Sequence, residues 1–443
     1  MKLKASVTIF LSLSLGTFII LAEVLAKSCI ISSERLRFES AYDIALNSVL
    51  GEFSQQLRAQ YDLFYVDTSY MAGLPSVSNL SYRIDFYFSQ NTEKVMNVDN
   101  GPWGGIIPDS AMVVDYQTAS AMDGMSMRSQ ANAYVEDTPS LGNLLETVSA
   151  MAGRSSEISS LEQRDILAEW GDVMAGIAAR ELPKKKDPES GIEIIVELDN
   201  PADSYYEQSS GDILALTGTQ NAVSGASIDT GSLISNKGVS NGHVMALNND
   251  MSRNPYITYL VDRMSYFGHT KGHLLDCELE YIVSGRGSDY ENFHEIVQRI
   301  YQAVLTQCFE KVSSDSYYVS MAHAQAEALE VCTLDPTFIE PVATSILYAY
   351  TFVEALKNMR SILQGGVGDF GITYLQYLIA MLHMKSDSEL NLRAMDTMEI
   401  EVRKATSNPY FSMDWCVERI RCKLTGSGTG PHKLNIERTY GYF

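Results

Sequence analysis

Residues 2–26 read KLKASVTIFLSLSLGTFIILAEVLA, and this stretch decides the layout of the chain. Lys2 and Lys4 precede an apolar run of 22 residues, Ala5 to Ala26, whose one charge is Glu23 near its end. At about 1.5 Å per helical residue the run spans roughly 33 Å, enough for a hydrocarbon core of about 30 Å. Lysines on the short side hold that side in the cytoplasm. The expectation is a single-pass cell-membrane protein with its N-terminus cytoplasmic and everything after Lys27 extracytoplasmic. A cleaved signal peptide is the competing reading, because Val24-Leu25-Ala26 makes a passable small-residue cleavage site. The apolar core of such a signal is usually about 7–15 residues, so the longer run favours an uncleaved anchor. Whether the segment is cut stays open.

The helical pattern continues past the anchor. No proline occurs from Ala5 to Tyr61, and the glycines there are Gly16 and Gly51. Phe38, Tyr42, Ala45, Val49, Phe53 and Leu57 recur at spacings of three or four, which puts them in one stripe. Glu34, Arg35, Glu39, Asp43, Glu52 and Arg58 take the polar positions. One rod from 5 to about 60 would be roughly 85 Å long. Its outer half is expected to pack on the body or on a partner helix, with the six stripe residues as the interface.

The 443 residues carry a net charge of −22, with 45% hydrophobic and 20% charged side chains. That is ample for a core, and only one segment is apolar and long enough to span a bilayer. The acidic balance argues against nucleic acid as a partner. None of the six cysteines forms a C-x-x-C pair, so structural zinc is not expected. Cys416 and Cys422 fall on one face of an alternating segment, where an isolated bridge is one option. The 25 tyrosines suit either a half-wet core or an interface.

The stretches KASVTIFLSL (4–13), AYDIALNSVL (41–50) and QYDLF (60–64) resemble the start of an uncharacterised membrane-protein family of Gram-positive, clostridia-like bacteria. LEYIVSG (279–285), SDYEN (288–292), GITY (371–374) through Tyr377-Leu378, and MDTMEI (395–400) fit the same pattern. The resemblance covers roughly residues 1–70 and 255–425. That family is similar to TadE/TadG-like minor pilins of tight-adherence (Flp-type) pilus systems. It implies a structural surface protein whose partners are other membrane or pilus-assembly proteins. The chain departs from pilin processing at one point. Cleavage after Lys4 or Ala5 would put Ile9 or Phe10, not an acid, at the fifth mature position.

Farther along, Arg83 to Phe88, Ile192 to Leu198 and Leu274 to Ser284 read as strands. Leu161 to Ala179 reads as one helix. Asn100-Gly101-Pro102 and Gly104-Gly105 mark turns, and residues 200–253 read as loop or mobile linker. Ser288 with Glu291 is a capping box, Asp335-Pro336 an N-cap with proline at N1, and Thr373/Gln376 and Ser386/Glu389 open two more helices. The helix after Asp335 should end near Leu363, and Asn408-Pro409 should stop the last one. Met413 to Leu424 and Asn435 to Phe443 return to strands. The fold class is α+β: a long N-terminal transmembrane and amphipathic helix, then an ectodomain of antiparallel strands and a C-terminal helical bundle. The expected organisation is a cytoplasmic stub (1–4), a transmembrane helix (5–26), a juxtamembrane amphipathic helix (27–62), a variable ectodomain part with a mobile linker (63–253) and an α+β C-terminal ectodomain (254–443).

Chemical motifs point away from catalysis. Gly366-Val367-Gly368-Asp369-Phe370-Gly371 satisfies G-x-G-x-x-G, but a helical pattern precedes it where a nucleotide site needs a strand. It reads as an interhelical loop. His269, His273, Asp276 and Glu280 are near in sequence, yet Gly268 and Gly272 favour an exposed turn over a metal site. No nucleophile-elbow or P-loop pattern occurs. The expectation is a non-enzymatic protein with no catalytic residues, metal or cofactor, bound to lipid through residues 5–26. The alternative is a membrane-tethered extracytoplasmic hydrolase acting on cell-wall polymer or peptide.

Overall fold

The structure is a computed structural model that describes residues 2–71, 73–96, 107–188, 191–239, 245, 251–428 and 433–442. The turn signals at 100–102 and 104–105 lie outside the described residues. The fold is α+β and mostly helical, 65% of the chain. The strands among the described residues are β1 (Val66–Asp67), β2 (Ile107–Thr118), β3 (Lys184–Lys186), β4 (Glu193–Ile195), β5 (Cys416–Ser427) and β6 (Lys433–Gly441). The chain divides into two compact units, one of residues 1–131, 238–250 and 398–443, the other of 132–237 and 251–397. Neither is a continuous stretch, whereas the boundaries expected at 62 and 253 are sequential.

The first unit is built on α1 (Lys2–Leu50), α2 (Gln55–Tyr61) and α3 (Val77–Met96) with an antiparallel sheet. β5 is the central strand. It pairs with β2 on one side and with β6 on the other, in the registers Tyr116↔Ile420 and Cys422↔Arg438. The two-residue β1 adds Val66↔Val417. The β2–β5 ladder shifts register at Pro108/Ser110, Val113/Asp115 and Gln117/Thr118, which gives the long strand local bends. Ile420, Cys422 and Leu424 point into a core with Phe38, Tyr42, Val49, Leu80, Ile84 and Phe88. The expected single rod breaks at Gly51. There a Cβ would sit 3.2 Å from the Ser48 carbonyl, and Ser54 starts α2 by accepting from the Leu57 N–H. The chain from 83 to 88 is the middle of α3, not a strand. Leu80, Ile84 and Phe88 share its buried face at helical spacing, and six alternating residues are too few to separate the two periods.

The second unit is helical apart from the β3–β4 hairpin. Its central helix, Asp289–Ser314, buries Phe293, Ile296, Val297, Ile300 and Val304. The expected N-terminal signals are present. Ser288 accepts from the Glu291 N–H, Thr373 and Gln376 form a reciprocal box, and Ser386 caps through Glu389. Asp335-Pro336 opens a 3₁₀ turn that leads into Ile339–Leu363. Four readings change. The expected strand 274–284 is a loop followed by the helix Glu278–Ser284, six of whose residues are buried. A buried apolar run carries no period that tells strand from helix. The expected helix 161–179 is two: one ends at Glu162, and Asp165 caps the next by accepting from the Ala168 N–H. The segment read as linker contains the short helices Asp203–Ser209, Ile213–Thr217 and Ile234–Lys237, while 240–244 and 246–250 lie outside the described residues. The expected strand 192–198 is shortened to β4.

Candidate functional site

The feature that sets this chain apart is α1, whose two halves live in opposite environments. Its apolar window has mean hydropathy 2.2, and none of that window is buried. Phe10 is 74% exposed and Phe18 69%. Apolar side chains cover every side of this half, as on a helix solvated by lipid or by like helices, and the patch far exceeds what a monomer leaves in water. Three of its hydroxyls bond within the helix. Ser12 donates to the Ile9 carbonyl, Ser14 to those of Phe10 and Leu11, and Thr17 to that of Ser14. These three hydroxyls need no water molecule, which suits residence in hydrocarbon. At the outer end Lys27 pairs with Glu23 at 2.6 Å, one helical turn away. Such a helix is compatible with a single-pass anchor.

The second half is closed inside its own unit. Phe38, Tyr42, Ala45, Val49 and Leu57 are fully buried, and Phe53 is half-buried against Phe64. Of the six residues expected to dock a partner helix, Phe38, Tyr42, Ala45 and Val49 are brought together in a core with this chain's own sheet and α3, while Phe53 packs on Phe64 and Leu57 is buried from α2. That corrects the expected partner-helix interface. Phe38 meets Phe88 edge-on at 5.3 Å, and the buried Tyr42 hydroxyl donates to the Cys422 carbonyl at 2.6 Å. Burial pushes the Tyr42 phenol far up, so it remains a donor.

A ring of polar clamps borders this seat. Arg438 donates both to Asp43, at 2.8 and 3.0 Å, and to Glu39 at 3.2 Å. Tyr440 donates to Asp43 at 2.7 Å, and Tyr442 to the Leu50 carbonyl. From α3, Arg83 and Tyr87 both grip Glu52. Nearest the anchor, Glu34 is buried beside Gly428, where any Cβ would collide with the Glu34 carboxylate. Sequence reading found the acidic positions on α1 but missed Arg438, Tyr440 and Tyr442. Their alternation along β6, on the same face as Leu434 and Ile436, was the available signal.

The other candidates fall into different roles. His269 is exposed and stacks on Tyr266, while His273 is 2.7 Å from Glu278. Glu280 accepts from the Phe267 N–H and the Tyr374 hydroxyl, and full burial pushes its carboxyl up to about 7. Asp289 accepts from Ser224 and from the Asp276 and Cys277 N–H groups. Among the described residues no group of three or more His, Cys, Asp or Glu is placed to hold a metal ion. Each of these carboxylates braces a local loop. In the first unit Glu418 does the same, taking donors from Gln130 at 2.7 Å, Ser126 at 2.5 Å and Gln117, and burial raises it. Gly366 to Gly371 forms the loop between the helices Ile339–Leu363 and Tyr374–Met384, tied by the Asp369 N–H to Asn358 at 2.6 Å. All six cysteines are free, Cys29 exposed and the other five buried. Cys416 and Cys422 share β5, and six strand residues separate them by about 20 Å, too far for a bridge.

A family described as "Family of unknown function (DUF5702)" matches residues 193–367 and 366–428, together more than half of the chain. No curated protein and no solved structure matches it.

Proposed function

The chain belongs to this family of unknown function, DUF5702, and on that footing we propose that it is a non-enzymatic, single-pass surface protein, a minor-pilin-like component of a tight-adherence pilus or related assembly. The observation that carries the reading is the division of α1: a bare apolar half and a half sunk in an antiparallel sheet. In this reading the bare half lies in the bilayer with Lys2 and Lys4 inside, and the body faces outward. A helix apolar on all sides can exchange lipid neighbours for helix neighbours at little cost, because tails and side chains are alike in polarity. Assembly by lateral recruitment follows from that property. The interior carboxylates support a structural role, since each is engaged by donors of its own unit.

Partners would then meet α1 on its bare half and on the outward positions Leu36 and Ile44, which are 65% and 51% exposed. Photo-crosslinkers placed at Leu36 and Ile44 in native membranes test this. The expected result is an adduct with a pilus-assembly protein or another protein bearing a comparable N-terminal apolar helix. Absence of adducts, together with purified protein that cleaves cell-wall polymer or peptide, would overturn the proposal in favour of a tethered hydrolase.

A further inference from the structure

The β3–β4 hairpin leaves the second unit with every strand residue exposed. Its register places Lys184 opposite Ile195, Lys185 opposite Ile194 and Lys186 opposite Glu193. Lys185 also pairs with Glu330. Ile192, Ile194 and Ile195 are 65%, 49% and 60% exposed, so isoleucines stand on both faces of the ribbon. A two-stranded ribbon alone is marginal in water, and its outer edges take part in no further ladder among the described residues. The lysines are the sequence's only three consecutive basic residues, in a chain of net charge −22.

At the foot of the hairpin lies a groove of about 580 Å³ lined by Met174, Ile177, Leu182, Leu198 and Tyr206. Glu197 and Asp203 also line it, together with Arg180, whose guanidinium donates to the Thr337 carbonyl. The carboxylates of Glu207 and Asp199 lie close enough to repel that of Asp203, and such a cluster of like charges favours an incoming cation. Hairpin and groove are complementary in both respects, apolar to apolar and basic to acidic. The hairpin's isoleucines remain exposed, so it does not fill the groove of its own chain.

We propose that two copies of this chain associate by exchanging these hairpins, each laid in the other's groove with its lysines against Asp199, Asp203 and Glu207. Leu182 and Leu198 flank the hairpin in sequence and line the groove, so donor and acceptor surfaces adjoin. Reciprocal exchange, hairpin into groove in both directions, relates the two copies by a two-fold axis and gives a closed dimer. The inference names a partner for the assembly proposed above, yet it does not require the anchor to lie in a membrane.

Light scattering on the full chain in detergent, over a range of concentrations, reads the association directly. A dimer is expected. Ile194→Asp, and separately the triple Lys184→Glu, Lys185→Glu and Lys186→Glu, should each weaken it by about tenfold or more. Adding Asp199→Lys, Asp203→Lys and Glu207→Lys to the triple variant should restore it. Circular dichroism unchanged from the parent verifies that these exposed substitutions leave the fold intact. A parent chain that stays monomeric overturns the proposal. So does a dimer indifferent to both hairpin variants, which would place association in the anchor and leave the pilin-like reading standing. Failure of the second reversal to restore association also overturns it.

Discussion

Arginine at both Leu13 and Ile19 is expected to empty the membrane fraction of this protein. Twelve large apolar side chains of the anchor, from Val7 to Leu25, are more than half exposed. On an insertion scale each contributes about 0.3–0.6 kcal/mol, on the order of 5 kcal/mol together. An arginine near the helix centre costs about 2.5–3.5 kcal/mol, so two cancel the whole favourable sum. The membrane-bound share should fall by more than about tenfold on fractionation, with the variant recovered as soluble or aggregated material. Leu36→Arg, beyond the anchor on an exposed position, should leave fractionation unchanged. Equal loss in both variants would show that the substitutions act through misfolding and not through insertion.

Glu280→Gln is expected to remove a large part of the pH dependence of stability. Burial raises the Glu280 carboxyl from 4.5 to about 7, despite hydrogen bonds from Phe267 and Tyr374 that favour the charged form. The folded state therefore holds this proton more tightly than the unfolded state does. Stability from this group is full below about pH 4.5, falls as pH rises to about 7 and is constant above that, by linkage. The span corresponds to on the order of 3 kcal/mol. The amide keeps the shape, and its oxygen can still accept from Phe267. Glutamine should thus stabilise the chain at pH 7.5 relative to pH 5, read as the difference in urea unfolding between variant and parent. Burial also raises Asp289 and Asp396, so part of the slope should remain. An identical slope in parent and variant would refute the assignment to Glu280.

What the sequence disclosed and what it withheld follow the range of the interactions. The anchor is a matter of composition over consecutive residues. The caps at Ser288, Thr373 and Ser386 are settled within four residues, because an N-cap side chain bonds the backbone N–H groups just after it. The stripe on residues 38–57 was legible as a face. What covers it was not, because the Tyr42 bond reaches Cys422 and the Asp43 pair reaches Arg438, partners almost four hundred residues away. The same limit explains the misread segments. Ile84 and Phe88 alternate with polar residues over a window shorter than two helical turns. Leu279 to Val283 are buried on all sides, so no period marks them. The buried carboxylates were invisible for a related reason: Glu280, Asp289 and Glu418 acquire their environments only when distant donors close around them.

The central claim is that α1 holds the chain in a bilayer with its body outside the cell. Cys29 provides a built-in probe, since it follows the anchor by three residues and is exposed while the other five cysteines are buried. Intact cells treated with a membrane-impermeant maleimide should label the native protein at one site, and Cys29→Ser should abolish the label. Labelling that appears only after the membrane is permeabilised would put Cys29 on the cytoplasmic side and contradict the account.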